Sequence, residues 1–121
     1  MPVSLTSVLW VAAGGALGSV ARYLVSAWAV LQFGLAFPWG TLAVNVIGSA
    51  AIGVLGGIGL SGDLRLFLIT GVLGGFTTFS AFSLETGVLW QRSPWLSVTY
   101  VAASLTLGLA AFALCYWLAR R

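Results

Sequence analysis

Four long apolar stretches follow one another along the chain and are separated by three short connections. The stretches run over residues 3–33, 39–60, 64–90 and 94–118. A helix needs about 20 apolar residues to cross the hydrocarbon core of a bilayer, and each stretch meets that length. The connections, LQFGLAFPWG, SGDLR and QRSPW, carry glycine, proline or charge, as loops should. The pattern therefore predicts an all-α membrane protein in which residues 1–121 form a single domain of four transmembrane helices.

Composition supports this prediction. Of the 121 residues, 60% are hydrophobic and only 6% are charged, whereas roughly a quarter of the residues of a soluble domain are charged. Most of the protein surface is therefore expected to face a lipid membrane. The N-terminal residues MPVSLTSVLW lack the basic region and the cleavage site of a signal peptide, so we predict that they begin a retained helix.

Charge and cysteine content exclude several functions. The net charge is +3, and it is spread over chain ends and loops, so no nucleic-acid partner is expected. The chain has no histidine, which removes the commonest general base and a common metal ligand. Its single cysteine, Cys115, is expected to be a small packing residue. Because no nucleophile stands beside a base, the chain is not expected to be an enzyme.

Four helices make a thin bundle, which can hardly shield a polar route from lipid by itself, so we expect the chain to oligomerise. Three pairs of glycines have the small-xxx-small spacing of close helix contacts: Gly14 and Gly18, Gly53 and Gly57, and Gly71 and Gly75. Four spans place both termini on the side of the SGDLR loop, which carries only slightly more arginine than the opposite side. The positive-inside rule then weakly favours cytoplasmic termini and permits insertion in both orientations.

Polar residues interrupt the first two apolar stretches. Arg22 either extends to the membrane interface or faces a wet vestibule in which it attracts anions. Asn45 either forms a hydrogen bond between helices or offers its two N–H donors to a pathway, and Thr41 lies one turn before it on the same helix face. The sequence alone leaves both interpretations open for each residue.

The third stretch contains the sequence GGFTTFSAF. Gly74 and Gly75 weaken a helix and predict a break that frees backbone carbonyls. Free carbonyls deep in a membrane must be buried in protein or line a cavity, and they are good ligands for a hard cation. Phe76, Phe79 and Phe82 form either a packing stripe or a set of positive ring edges that can hold a small anion. The hydroxyls between them can cap the helix after the break: Thr77, Thr78 and Ser80.

Polar residues continue into the rest of the chain. Glu85 is an intramembrane carboxylate and hence a functional candidate, unless it lies at a helix end with access to water. Tyr100 and Ser104 are i, i+4 neighbours, and Gly108 continues their line, so the three form either a polar track or a packed face. Together these residues indicate a small-ion pathway with a backbone cation site.

At three places the chain resembles the Fluc (CrcB-type) fluoride channels, namely GGALGSVARY, GTLAVNVIG and especially GVLGGFTTFSAFSLE. The resemblance covers essentially the whole chain, including its length and its four-helix layout. It implies a fluoride-selective channel that exports fluoride passively across the cytoplasmic membrane of a prokaryote and lowers fluoride toxicity. It also implies an antiparallel, dual-topology homodimer with two pores, each lined by both subunits, and a third helix broken near its middle.

The resemblance further implies roles for individual residues. A structural sodium ion at the dimer centre is expected on the backbone carbonyls of Gly74 and Thr77. The fluoride pathway is expected to include eight residues: Arg22, Thr41, Asn45, Phe79, Phe82, Glu85, Tyr100 and Ser104. The third position of the polar track, often serine in relatives, is Gly108 here, with Thr106 or water as substitutes.

Two other interpretations remain open. The small multidrug transporters are also four-helix, dual-topology dimers of about this length, but they place an essential glutamate in the first helix. This chain has Arg22 and no acid there, and Glu85 is the remaining candidate carboxylate for ion coupling. The other interpretation is a non-transporting assembly subunit, which ion flux in liposomes containing only this protein would separate from both.

Overall fold

The computed structural model describes residues 3–121, and Met1 and Pro2 lie outside the described residues. It contains four helical spans that are long and apolar enough to cross a membrane. In chain order, the first, second and last spans are α1 (Leu5–Phe33), α2 (Trp39–Ile58) and α6 (Pro94–Ala119). The third span (Gly62–Arg92) consists of four parts: α3 (Gly62–Arg65), a π-helical segment (Leu66–Leu73), α4 (Gly74–Phe76) and α5 (Ser80–Arg92). The prediction of an all-α fold with four apolar helices is confirmed.

Local sequence sets the helix ends. Ser93 caps α6, since its Oγ accepts a hydrogen bond from Leu96 N at 3.4 Å, and Pro94 follows in the first turn, where a missing N–H costs nothing. α2 ends at Ile58 because Gly59 adopts a left-handed conformation, with φ of 75°, that favours glycine.

α1 packs against the first part of the third span through glycines on both sides. A Cβ atom built on Gly14 would lie 2.9 Å from the Cα atom of Gly71, and one built on Gly75 would lie 2.6 Å from the carbonyl oxygen of Gly15. Since real Cβ atoms do not approach neighbours this closely, only glycine permits the contact. The small-xxx-small motifs of these two helices are therefore packing sites.

α2 and α6 form a second close pair and run parallel. A Cβ atom on Gly53 would lie 2.6 Å from the carbonyl oxygen of Phe112, and one on Gly57 would lie 2.9 Å from that of Tyr116. Gly57 and Tyr116 each lie four residues after Gly53 and Phe112, respectively. The two helices therefore stay in register along the contact. Cys115 belongs to this contact, with its Cβ atom 3.2 Å from the Cβ position of Gly53, in line with its expected packing role.

Outside these contacts the helices expose large apolar side chains. Leu31, Trp95 and Leu109 are 82%, 80% and 66% exposed in the single chain. Exposing such surface to water is unfavourable, whereas a bilayer or a second apolar chain accepts it. The exposed surface is therefore that of a multi-pass membrane protein.

The third span is interrupted between α4 and α5. Thr77 leaves the helix with φ of −87° and ψ of 158°, and the helix resumes at Ser80. The expectation that Gly74 and Gly75 break the helix is wrong. Both belong to α4, and Gly74 has helical angles, with φ of −61° and ψ of −37°. The glycines instead belong to the helical part of the span, and Gly75 is needed for its contact with α1.

The threonines after the glycines carry the interruption. Thr77 Oγ1 donates a hydrogen bond to the carbonyl oxygen of Leu73 at 2.8 Å. Thr78 Oγ1 accepts one from Ala81 N at 3.1 Å and so caps the start of α5, as its type predicts. Short hydroxyl side chains offer the backbone alternatives to helix hydrogen bonds. The break therefore falls at the hydroxyl residues.

Candidate functional site: an ion pathway at the helix break

Arg22 lies half-buried on α1 and reaches the break. Its Nε atom donates a hydrogen bond to the carbonyl oxygen of Gly75 at 3.0 Å. In a continuous helix this oxygen would accept from the amide four residues later, at Phe79, so the interruption frees it and the arginine occupies it. The guanidinium is thus held at the break. Arg22 therefore does not simply extend to the membrane interface.

Asn45 holds the other side of the break from α2. Its Nδ2 atom donates to the carbonyl oxygen of Thr78 at 3.1 Å, and its Oδ1 atom accepts from the amide of Thr78 at 3.0 Å. The side-chain amide has two N–H donors, so one remains for another acceptor. The interhelical hydrogen bond that the sequence allowed is therefore present, and it leaves room for the second role.

Three carbonyl oxygens at the break have no hydrogen-bond donor within residues 3–121, those of Gly74, Phe76 and Thr77. The amide of Thr78, which would serve Gly74 in a helix, is bound to Asn45. Gly74 and Thr77 line a groove of about 510 Å³ beside α2, whereas Phe76 does not. Uncharged oxygens are suitable ligands for a hard cation, so the donor set fits the group expected there, with two oxygens from one chain.

The same groove brings anion-binding candidates next to the carbonyls. Asn45, Ser49, Thr78 and Phe79 are among its lining residues. Phe79 is 77% exposed in the single chain, so its ring is free to contact a ligand or another chain. Asn45 supplies an N–H donor on the same wall.

Glu85 is the centre of a second polar cluster, between α2, α5 and α6. Thr41 Oγ1 donates to Glu85 Oε1 at 2.7 Å, and the hydroxyl of Tyr100 donates to Glu85 Oε2 at 3.0 Å. Thr41 is 6% exposed, and Tyr100 is fully buried. Both oxygens of the carboxylate therefore have a hydroxyl partner, and the acid fixes two hydroxyls on two different helices.

Aromatic rings connect this cluster to the break. The ring of Phe82 lies 5.1 Å from that of Tyr100 and 5.8 Å from that of Phe79, measured between centroids, with interplanar angles of 46° and 49°. Both ring pairs are tilted, neither stacked nor perpendicular, and the edges of such rings carry positive partial charge. Phe79 and Phe82 therefore lie between the carboxylate cluster and the groove.

Ser104 lies on α6 one turn beyond Tyr100, and its buried Oγ atom has no hydrogen-bond partner within the described part of the chain. Gly108 follows one turn later and is buried. A Cβ atom at position 108 would lie 3.5 Å from Ser49 Oγ, on α2. Thr106 is exposed and, two residues before Gly108, projects from a different face of α6.

A second cavity, of about 250 Å³, lies where α1 ends and α2 begins. Thr41, Glu85 and Arg92 are among its lining residues. Arg92 Nη1 donates to the carbonyl oxygen of Ala36 at 3.0 Å, which fixes the arginine at the cavity. The cavity gives the carboxylate cluster a route toward the end of the bundle, so Glu85 combines an intramembrane position with a neighbouring cavity.

The structure brings most of the predicted pathway residues into one line of contacts. Five of them form a connected group: Thr41, Glu85, Tyr100, Phe82 and Phe79. Asn45 and Ser104 lie on α2 and α6 beside that group, whereas Arg22 is separate and approaches the break from α1. Sequence reasoning missed Ser49, which the recurrence of polar residues every four positions after Thr41 would have indicated.

Comparison with known proteins gives a family match over most of the chain. Residues 9–116 match the family described as CrcB-like protein, Camphor Resistance (CrcB). The matched range includes the helix break and every residue of the candidate pathway.

The chain is also similar to bacterial proteins named fluoride-specific ion channel FluC. It is 50% identical to the protein of Agrobacterium fabrum (strain C58) over 113 residues, which are 88% of this chain and 90% of the relative. It is 53% identical to the protein of Rhizobium meliloti (strain 1021) over the same shares of both chains. It is 54% identical to the protein of Rhizobium etli (strain CIAT 652) over 107 residues, 84% of this chain and 86% of the relative.

Proposed function

The chain belongs to the CrcB family, and from this membership we propose that it is a fluoride channel that exports fluoride passively across the cytoplasmic membrane of a prokaryote. Relatives that share half of its residues are named fluoride-specific ion channels. A channel of this family is not an enzyme, and its benefit to the cell is a lower fluoride concentration in the cytoplasm.

The structural observation that carries the proposal is a line of polar groups and ring edges inside four apolar helices. It begins at the hydroxyls of Thr41 and Tyr100, which Glu85 fixes in place. It continues over the tilted rings of Phe82 and Phe79 to the groove at the break. Fluoride is a small anion that accepts hydrogen bonds. The hydroxyls of Thr41 and Tyr100 donate their single protons to Glu85, so the donors left for the ion are the ring edges of Phe82 and Phe79 and the second N–H of Asn45, which can replace its water without a formal positive charge.

The proposed pore has access regions that contain arginine. Arg22 is held at the break by its bond to Gly75, and Arg92 lies at the cavity near the end of the bundle. Each contributes positive charge that raises the local concentration of anions. The line of contacts from Thr41 to Phe79 contains no arginine, which avoids binding fluoride too strongly to release it.

The proposed assembly is an antiparallel, dual-topology homodimer in a lipid membrane. The groove at the break is open on one side of the single chain, and Phe79 is 77% exposed there. A second copy would cover that side and complete the walls of a pore. The small difference in arginine between the two sides of the membrane supports insertion in both orientations.

We place a structural sodium ion at the centre of that dimer. Gly74 and Thr77 would hold it through their backbone carbonyls, which have no donor among the described residues. The ion would supply positive charge that holds two helix breaks together. Because hard cations take several oxygen ligands, two carbonyls from one chain fit half of such a site, and a second chain supplies the rest.

The coupled-transporter alternative is not favoured. A coupled transporter would be expected to have relatives named as transporters, whereas the relatives of this chain are named as channels. The one candidate coupling acid, Glu85, has a hydroxyl partner on each carboxylate oxygen, which suits a fixed anchor better than a proton carrier.

Fluoride efflux from liposomes that contain only this protein tests the proposal. The expected result is rapid fluoride efflux, with chloride efflux near that of empty liposomes. Chloride efflux as fast as fluoride efflux would contradict the selectivity. The absence of efflux from folded protein would favour a non-transporting subunit.

A further inference from the structure

Three observations locate a site at the contact of α2 and α6 that the line of contacts above does not include. The helices run parallel and in register, because Gly53 meets Phe112 and Gly57 meets Tyr116. Extending this register toward the start of both helices places Ser49 level with Gly108. The contact between the Cβ position of Gly108 and Ser49 Oγ, at 3.5 Å, agrees with that placement.

The same register continues to the carboxylate cluster. One more turn places Ser104 level with Asn45, and the next turn places Tyr100 level with Thr41, which agrees with their common hydrogen bonds to Glu85. Ser104 therefore lies between a fixed hydroxyl pair at one end and Ser49 at the other. A spacing of four residues along a helix is about 6 Å, so one hydroxyl occurs at each turn.

Ser104 is the group that points to a ligand. Its Oγ atom is buried and has no partner among residues 3–121, although buried hydroxyls are ordinarily hydrogen-bonded. A hydroxyl can donate to an anion at a distance of about 2.5–3.0 Å. Ser49 lies at the next turn and is among the residues that line the groove, together with Asn45 and Phe79.

We propose that Ser49 on α2 supplies a hydrogen-bond donor for fluoride at the turn after Ser104, beside the place where a side chain at position 108 on α6 would begin. This inference rests on the proposed fluoride channel and adds a residue to it. Gly108 offers no donor, and the nearest atom to its Cβ position is Ser49 Oγ, at 3.5 Å, so the track of donors crosses from α6 to α2 at this level. Thr106, on another face of α6, has no part in it.

Fluoride efflux from liposomes containing Ser49→Ala tests the inference. Losing one hydrogen bond to the ion is expected to lower the efflux rate about tenfold. The decisive variant is Ser49→Ala/Gly108→Ser, which moves the hydroxyl from α2 to α6 at the same level and is expected to recover most of the rate. Ser49→Ala/Gly108→Ala is its control, since it adds the same carbon without a hydroxyl and is expected to stay slow.

Several results would overturn the inference. The first is a folded, dimeric Ser49→Ala protein that releases fluoride at the wild-type rate. The second is an equal recovery of the efflux rate when Gly108→Ala or Gly108→Ser is added to Ser49→Ala. If Ser49→Ala does not fold, Ser49→Thr and Ser49→Val provide a pair of similar shape in which only threonine keeps the hydroxyl. Equal rates for these two would also overturn it. Failure of the channel proposal looks different, because the wild-type protein itself would then give no selective fluoride efflux.

Discussion

Asn45 on α2 binds both polar groups of the Thr78 backbone, with Nδ2 3.1 Å from the carbonyl oxygen and Oδ1 3.0 Å from the amide nitrogen. Thr78 therefore keeps its backbone hydrogen bonds without being helical, and the chain can leave the helix inside an apolar bundle. The two bonds also fix the distance between α2 and the start of α5. Asn45 thus sets the shape of the groove while keeping one N–H for a ligand.

We predict that Asn45→Asp strongly reduces fluoride efflux. The carboxylate keeps the acceptor for the Thr78 amide but loses the donor to the Thr78 carbonyl, and it brings negative charge to the groove. We expect at least a tenfold loss, from one hydrogen bond and added repulsion. Efflux from liposomes measures the rate, and size-exclusion chromatography checks the assembly. A folded variant with the wild-type rate would remove Asn45 from the pathway.

We predict that isoleucine at Phe79 or Phe82 separates transport from stability at one position or both. Isoleucine keeps much of the apolar volume but lacks a positive ring edge, so flux should fall sharply while the assembly persists. Phe79 is the cleaner test, since its 77% exposure leaves few contacts to lose within the chain. Methionine, with a polarizable thioether, should retain more flux than isoleucine. If both isoleucine variants fold and conduct normally, the rings serve packing only.

We predict that the chain inserts in both orientations. A cysteine introduced as Arg121→Cys, in a chain whose half-buried Cys115 is replaced by alanine, should react with a membrane-impermeant thiol reagent in roughly half the copies in intact cells. Permeabilised cells provide the positive control for complete labelling. Uniform labelling or uniform protection in intact cells would contradict an antiparallel dimer.

We predict passive conduction without proton coupling. Glu85, the candidate coupling acid, is bound by hydroxyls on both oxygens, and the chain has no histidine. With the membrane potential clamped by an ionophore, fluoride should flow down its gradient without protons moving in fixed proportion. A constant proton-to-fluoride ratio under that clamp would indicate a transporter.

We predict that Gly14→Ala destabilises the protein and that Gly15→Ala does not. The new Cβ atom at position 14 would lie 2.9 Å from the Cα atom of Gly71, whereas the one at position 15 meets nothing within 4 Å. Overpacking of this kind costs about 1–3 kcal/mol, and alanine otherwise favours a helix. Thermal unfolding in detergent should show a lower midpoint for Gly14→Ala alone. Equal midpoints would show that α1 shifts freely on the third span.

Sequence predicted the spans well because twenty apolar residues in succession have few alternatives to crossing a bilayer. It placed the break at Gly74 and Gly75, since glycine weakens isolated helices. In the folded protein those glycines are helical, and the break falls at Thr77, where side-chain hydroxyls compete for the backbone. Helix propensity thus identified the right segment of the chain. The contact with α1 keeps the glycines helical, and so determines the residue at which the helix is interrupted.

Two features of the site depend on contacts that no local pattern contains. The bond from Arg22 to Gly75 joins residues far apart in sequence, and it exists only because α1 packs on α4. The periodicity of apolar residues likewise does not predict the π-helical segment Leu66–Leu73, because this part of the span is apolar on every face. By contrast, the sequence alone predicted that Tyr100 and Ser104 lie on the same face, because both residues belong to one helix and their i, i+4 spacing is enough to place them.

The two side chains that bind the backbone at the break both precede it in the chain. Arg22 and Asn45 lie on α1 and α2, and the residues they bind, Gly75 and Thr78, follow in the third span. Synthesis therefore delivers the donors to the membrane before the interrupted helix leaves the ribosome. In a circular permutant that began at the third span, the interrupted helix would enter the membrane before Arg22 and Asn45 were made, so Gly75 and Thr78 would lack these partners during synthesis.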